Sequence, residues 1–274
     1  MSVSLPAIAI IGTGKMGGAI LDGVLQPEVV TNSVRVTTQS DQSATLLRER
    51  GLTATSLELE PEANAWAVAG AQIVLIAVKP AQVVDTITSI AHALEKDAVV
   101  VSVAAGITTE AMEKVTTNPV VRAMPNTPTQ IGQGVTGLAA GSRVSDAQMA
   151  AVEKVFSLLG SVVVVPEDKI NALSAISGSG PAYVFYIAEK LMDVAASHGF
   201  TPEQAEVMVQ GTLRGAAALL DLSDEAPETL RAAVTSPGGT TAQAIGVFDE
   251  RDLGAVFDEA ISRAISRAEE MGRS

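Results

Sequence analysis

The stretch IIGTGKMGGAI, residues 10–20, constrains this chain more than any other. Gly12, Gly14 and Gly17 fall in a GxGxxG spacing directly after AIAII (Ala7–Ile11), an unbroken apolar run. Such a run is the mark of a central parallel strand covered on both faces. A strand that turns at once into a helix needs Gly12 for the tight turn and Gly17 for close helix–strand packing. Gly14 leaves room for a pyrophosphate to reach the main chain, with its charge resting on the helix N–H groups. Glycines in strand–helix turns also serve purely structural ends. At the head of a β-α series, the spacing predicts dinucleotide binding through Gly12, Thr13, Gly14, Lys15, Met16 and Gly17.

That series is present. Further strands are expected at VRVTT (Val34–Thr38), QIVLIAV (Gln72–Val78), AVVVSV (Ala98–Val103), PVVRAM (Pro119–Met124) and VVVV (Val162–Val165). Helical segments fall between them, one of them at DQSATLLRER with Asp41 as the expected N-cap and Gly51 as its stop. The alternation predicts an α/β, doubly wound parallel sheet. After Pro166 no strand-like run remains, and the chain reads as helices rich in Ala, Leu and Met, the first starting near Asp168. The expected domains are therefore 1–165, binding the dinucleotide, and 166–274, all helical.

Composition removes several functions. The net charge of −13 lacks the clustered Lys and Arg that nucleic acid demands, and gives no attraction to anionic lipid. With no cysteine and only His92 and His198, thiol nucleophiles, disulfides and a histidine-rich metal site are excluded, so no metal is expected. The apolar start lacks a basic flank and a cleavage site, and no apolar run is long enough to span a bilayer. A soluble cytoplasmic protein is the expectation.

Which dinucleotide binds is decided at the end of the second strand. An acid there meets a free ribose 2′-hydroxyl, whereas Thr38, Gln39 and Ser40 can hydrogen-bond a 2′-phosphate. This favours NADPH, with NADH the less preferred alternative, although the same residues suit a solvated turn. Lys79 and Pro80 lie at a strand C-terminus, the sheet edge where ligands bind, and Pro80 can open a helix. SVAAGI (Ser102–Ile107) and AMPNTP (Ala123–Pro128) occupy two more strand ends, with Asn126 and Thr127 stiffened between prolines.

In the helical half, TSPGGTTAQAI (Thr235–Ile245) breaks the helical pattern with a proline and two glycines. Ser236, Thr240 and Thr241 flank the glycines, and the stretch contains no acid, lysine or histidine. It is either a helix–helix turn capped by Ser236 and Thr240 or a cradle for a small anion.

Taken together, IGTGKMGGAI, VLIAVKP, SVAAGI, RAMPNTP, SGSGPAYVF and VTSPGGTTAQAI resemble pyrroline-5-carboxylate reductase along nearly the whole chain. The last is similar to that family's S-P-G-G-x-T signature. The resemblance implies a Rossmann-type first domain, a helical dimerisation domain that assembles as a dimer or a ring of dimers, and reduction of L-Δ1-pyrroline-5-carboxylate to L-proline, the last step of proline biosynthesis. By position it implies cofactor contacts at Gly12–Gly17, Thr38, Gln39, Ser40, Asn64, Val78, Lys79, Pro80, Ala104, Ala105, Gly106 and Asn126. It implies substrate contacts at Ser236, Gly238, Gly239, Thr240 and Thr241. Main-chain donors there would take the carboxylate, and the Thr241 hydroxyl, the catalytic candidate, the ring nitrogen. The segment TTQSDQ departs from members that carry Ser-Pro at this place.

Other features read structurally. SGSGPAY (Ser177–Tyr183) suits close helix packing at a dimer contact, His92 and His198 suit solvated helices, and DLSDEAPE (Asp221–Glu228) suits a solvated loop. Lys169 and Asn171 lack the flanking motif of a hydroxyacid dehydrogenase's catalytic lysine. A hydroxyacid dehydrogenase, another imine reductase, or a non-catalytic NADP-binding regulator are the rival expectations.

Overall fold

A computed structural model describes residues 2–272. In chain order the first elements are β1 (Val3–Leu5), β2 (Ile8–Ile11), α1 (Lys15–Val24), β3 (Val29–Thr31), β4 (Val34–Thr38), α2 (Asp41–Glu49) and β5 (Thr53–Ser56). There follow α3 (Ala63–Val68), β6 (Ile73–Ile76), α4 (Val83–Ile90), β7 (Val99–Ser102), α5 (Thr109–Glu113) and β8 (Val120–Pro125). Then come β9 (Gly134–Ala140), α6 (Asp146–Ser157), β10 (Gly160–Val164) and α7 (Ile170–Leu173). The chain ends with α8 (Gly180–Ser197), α9 (Pro202–Leu222), α10 (Pro227–Ala233), α11 (Thr240–Glu250) and α12 (Leu253–Gly272).

Eight strands form one sheet in the order β10-β9-β8-β7-β6-β2-β4-β5, and β1 pairs with β3 in a separate parallel ribbon. From β2 the chain builds outward through β4 and β5, then returns to the other side of β2 with β6. That reversal is the topological switch point, where α/β sheets leave a crevice at the strand C-termini. The unbroken apolar runs follow from burial on both faces. Ile8 and Ile10 pack with Ile20, Leu21, Val155 and Phe156 on one side of the sheet. Ala9 and Ile11 pack with Val68, Val83, Ile87 and Met112 on the other. Each fully buried Ile or Leu contributes roughly 1.5–3 kcal/mol.

Three expectations need correction. The sheet is not wholly parallel, because β9 runs antiparallel to β8, with Val121 opposite Ala140 and Met124 opposite Gly137. The link from Pro125 to Gly134 holds only a 3₁₀ turn, Thr127–Ile131, closed by Gly132 at φ 70°, and a parallel crossover requires far more chain. The N-cap of α2 is Ser40, whose hydroxyl accepts from Ser43 N–H, while Asp41 is the first helical residue. Finally, no single long helix starts near Asp168. A 3₁₀ turn (Glu167–Lys169), α7 and a π-helical turn (Ser174–Gly178) precede α8.

Contacts divide the described chain into two compact units, one of residues 2–179 with 265–272 and the other of residues 180–264. The segment from Pro166 to Ser179 thus stays with the sheet, although composition placed the change at Pro166. Its anchor is a polar cluster around the buried Arg122. Arg122, on β8, donates to Glu167 (3.3 Å) and to Asn171 Oδ1 (3.2 Å), and Glu167 also accepts from Thr109 N–H (2.8 Å) and its hydroxyl. Burial presses the Arg122 pKa down from its ordinary value, and the neighbouring Glu167 carboxylate pulls it back up.

The second unit is helical throughout and differs in its interior. Its buried side chains, among the described residues, are Ala205 and Val209, whereas Phe185, Tyr186, Val207, Leu222 and Val234 are exposed. α9 starts from a capping box, with Thr201 and Gln204 bonding reciprocally, and carries Pro202 at its first position.

Candidate active site

The glycine loop leaves β2 with Gly12 at φ 90°, where a side chain's Cβ would lie 2.8 Å from the Ala77 carbonyl oxygen. A Cβ on Gly17 would strike the Gly12 carbonyl oxygen, so α1 and β2 approach as closely as they do only with glycine there. Gly14 is the N-cap of α1 and no side chain caps the helix. A Cβ at Gly14 would meet nothing within 4 Å, so the space above the first turn is open. The glycine loop that opens this ten-residue helix borders a cleft, an arrangement that favours phosphate.

That cleft has a volume of ≈ 340 Å³. It brings together Gly12, Thr13, Gly14, Thr38, Gln39, Ser40, Asn64, Val78 and Lys79, residues drawn from the ends of β2, β4 and β6 and from α3. Thr37, Ser43, Leu57, Gln82 and Thr86 also line it, and sequence reasoning passed over them. Thr37 could have been found beside Thr38; Gln82 and Thr86 sit on helical turns with no local signal. Thr37 donates to Asn64 Oδ1 at 2.7 Å, which orients that amide over the cleft floor. The Thr38 hydroxyl is spent on the Ser40 carbonyl (2.8 Å) and the Ser40 hydroxyl on Ser43 Oγ (3.1 Å), so the Gln39 amide is the freer polar group. Lys79 caps a short 3₁₀ turn that Pro80 opens, as the Pro80 position suggested. A larger cavity (≈ 600 Å³) lies at the opposite, N-terminal ends of β6 and β7, lined by Gln72, Glu95 and Asp97. It lacks the glycine loop and the helix N-terminus, and chemistry favours the smaller cleft.

Lys15, Met16, Gly17, Pro80, Ala104, Ala105, Gly106 and Asn126 do not line the cleft. Ala104 is buried, and Gly106 adopts φ 82° in the loop after β7. Asn126 is turned inward: its Nδ2 donates to the Ser177 carbonyl (2.9 Å) and its Oδ1 accepts from Val135 N–H (2.8 Å). In this structure it braces the π-helical turn against β9, and its side chain is not offered to a cofactor. Asn171 is likewise tied to Arg122, which leaves no polar dyad with Lys169.

In the helical unit, Ser236 to Gly239 form a turn closed by Gly239 N–H on the Ser236 carbonyl (3.0 Å). Pro237 at the second position and Gly238 at φ 72° give it the type II pattern. Gly239 is the N-cap of α11, and neither Ser236 nor Thr240 caps the helix through its side chain. A Cβ on Gly239 would collide with the Ser236 hydroxyl. The helix therefore starts with open N–H donors at Thr240 and Thr241, beside three hydroxyls that cap nothing. Ser236 and Thr240 are exposed and Thr241 is half-buried.

Residues 167–271 match the family model described as pyrroline-5-carboxylate reductase dimerisation. Residues 7–106 match that described as NADP oxidoreductase coenzyme F420-dependent. The pyrroline-5-carboxylate reductase of Corynebacterium melassecola is 34% identical over 98% of this chain and 100% of its own length. The chain belongs to the pyrroline-5-carboxylate reductase family. Its backbone follows the solved family member from Coxiella burnetii at a TM-score of 0.89 and 35% identity, covering 97% of this chain and 98% of the other. The Plasmodium falciparum enzyme, solved with NADP bound, shares the fold at a TM-score of 0.81 and 24% identity, over 97% and 98% of the two chains. The chain is thus an oxidoreductase that works with a nicotinamide cofactor, and its helical half belongs to a dimerisation family. Among the described residues no helix is long and apolar enough to cross a membrane, and no acid–histidine cluster could hold a metal.

Proposed function

We propose that this enzyme reduces L-Δ1-pyrroline-5-carboxylate to L-proline in the cytoplasm, with NADPH preferred over NADH. The observation that carries the substrate assignment is the uncapped start of α11 behind the Ser236–Gly239 turn, in a chain of this family. A small carboxylate needs donors, and the open main-chain N–H groups at Thr240 and Thr241 provide them without a basic side chain. Glycine at 238 and 239 keeps side-chain bulk away from so close an approach.

The nicotinamide cofactor fits the first unit because the glycine loop leaves open space over an uncapped helix N-terminus, and when bound it supplies the hydride. Gly12 to Gly17 would hold its pyrophosphate. Thr38, Gln39, Ser40 and Asn64 would hold the adenosine ribose and its phosphate. Val78, Lys79, Pro80 and the Ala104–Gly106 loop would meet the remainder, chiefly through main chain. A cyclic imine bound as its iminium ion already carries the proton on nitrogen, so no acidic side chain is required. The Thr241 hydroxyl then orients the ring nitrogen and Ser236 supports the carboxylate.

The exposed apolar helices of the second unit, with so little buried inside them, support assembly with a second copy and further into a ring of dimers. The test of function is NADPH oxidation with pyrroline-5-carboxylate, set against NADH and against a pyrroline lacking the carboxylate. Turnover of the acid with a severe loss for the carboxylate-free ring is expected. No turnover of the acid with either cofactor overturns the reading.

A further inference from the structure

The second strand ends without an acid, yet folding brings one to that place from elsewhere. Beyond β5 the chain continues along the β4 end, with Leu57 N–H on the Thr38 carbonyl (3.0 Å) and Glu58 N–H on the Gln39 carbonyl (3.2 Å). This holds Glu58 beside the Thr38–Ser40 rim of the cleft. Its carboxylate accepts from Asp41 N–H at 2.8 Å, the first donor of α2. Ser43 N–H goes to the Ser40 hydroxyl (3.4 Å). Two donors that an arriving anion would use are therefore taken, one of them by a negative charge.

Among the described residues, the arginines of α2 and its C-terminus are already engaged. Arg48 bonds Asp41 Oδ1 and Thr45 Oγ1, each at 2.7 Å, and Arg50 pairs with Asp22 at 2.6 Å. Lys79 is the cation among the cleft-lining residues, and it stands at the end of β6, the neighbour of β2 on the side away from β4. We propose that Glu58 is the residue that sets the cofactor ratio. A ribose 2′-phosphate entering at Ser40 and Ser43 meets a like charge and must displace the carboxylate from Asp41 N–H. A 2′-hydroxyl can donate to that carboxylate and leaves the bond in place. Glu58 thus restrains a preference for NADPH that the hydroxyls and amide of Thr38–Ser40 would otherwise make larger. The inference rests on placing the adenosine end at this rim.

The experiment compares the full-length wild-type protein with Glu58→Gln, which keeps a side-chain acceptor for Asp41 N–H, and with Glu58→Asp. Calorimetric titration with 2′,5′-ADP and with 5′-AMP reads the adenosine end directly, and kcat/KM is measured for NADPH and NADH. Glu58→Gln is expected to tighten 2′,5′-ADP and raise kcat/KM for NADPH by about fivefold at low salt, the upper range for one exposed charge interaction. Values for 5′-AMP and NADH stay unchanged or weaken, the gain shrinks at high ionic strength, and Glu58→Asp stays close to wild type. Parallel changes in both nucleotides, or none in either, overturn the role of Glu58. If wild-type protein binds neither fragment, the placement of the adenosine end fails, and the proposal with it.

Discussion

The glycine loop after β2 and the Ser236–Gly239 turn before α11 solve one problem in two settings. Each offers main-chain N–H groups at a helix N-terminus that no side chain caps, shaped by glycine. The first stands on a sheet buried on both faces, where Ile8, Ile10, Leu75 and Phe156 are almost wholly covered. The second belongs to helices that cover little more than Ala205 and Val209. Anion sites of one design thus rest on very different foundations. The sheet unit carries its own core, while the helical unit leaves most of its large apolar side chains exposed.

This contrast can be broken in four places. Glu167→Gln strikes the sheet unit where a buried cation is paired with a carboxylate. It leaves the Arg122 guanidinium, only 5% exposed, without its counter-charge, at a cost of about 3 kcal/mol. Urea denaturation checks this, and an unchanged midpoint would show that the cluster adds nothing. Gly17→Ala forces a methyl group into the Gly12 carbonyl and costs about 2–3 kcal/mol. It should also abolish nucleotide binding while leaving the oligomer intact; normal NADPH affinity would detach the loop from the cofactor.

Phe185→Asp tests the other foundation. A charge on this exposed α8 face should weaken association by about 2 kcal/mol or more, seen as monomer in sedimentation at micromolar protein. A variant that sediments like wild type would remove this face from the assembly. The smallest effect is expected from Thr241→Ala, where turnover falls about tenfold, or 1.4 kcal/mol, with NADPH binding unchanged. Equal turnover would take Thr241 out of the mechanism.

Much of the first region was legible because its signals are local. An apolar run followed by GxGxxG states strand, turn, helix and ligand within a few residues. The antiparallel β9 was not legible, since Gly134 and Gly137 dilute its apolar pattern, and β5 is a short Thr-rich strand without hydrophobic alternation. Asn126 was placed at the right strand end, but nothing in AMPNTP reveals that its amide is consumed by Ser177 and Val135. Asp41 stood where a cap belongs, one residue beyond the Ser40 that fills the position.

The sequence by itself determined the α/β sheet, the glycine loop, the helical second half and the family, because each is written in contiguous residues whose backbone preferences act locally. Only the tertiary structure decided which side chains share the cleft, and which charges stand beside them. Glu58 reaches the end of β4 because β5 pairs with β4, and Arg122 meets Glu167 because the chain after β10 stays on the sheet. Electrostatic partners depend on distance in space, and pairs so far apart in the chain leave no periodic trace in its order.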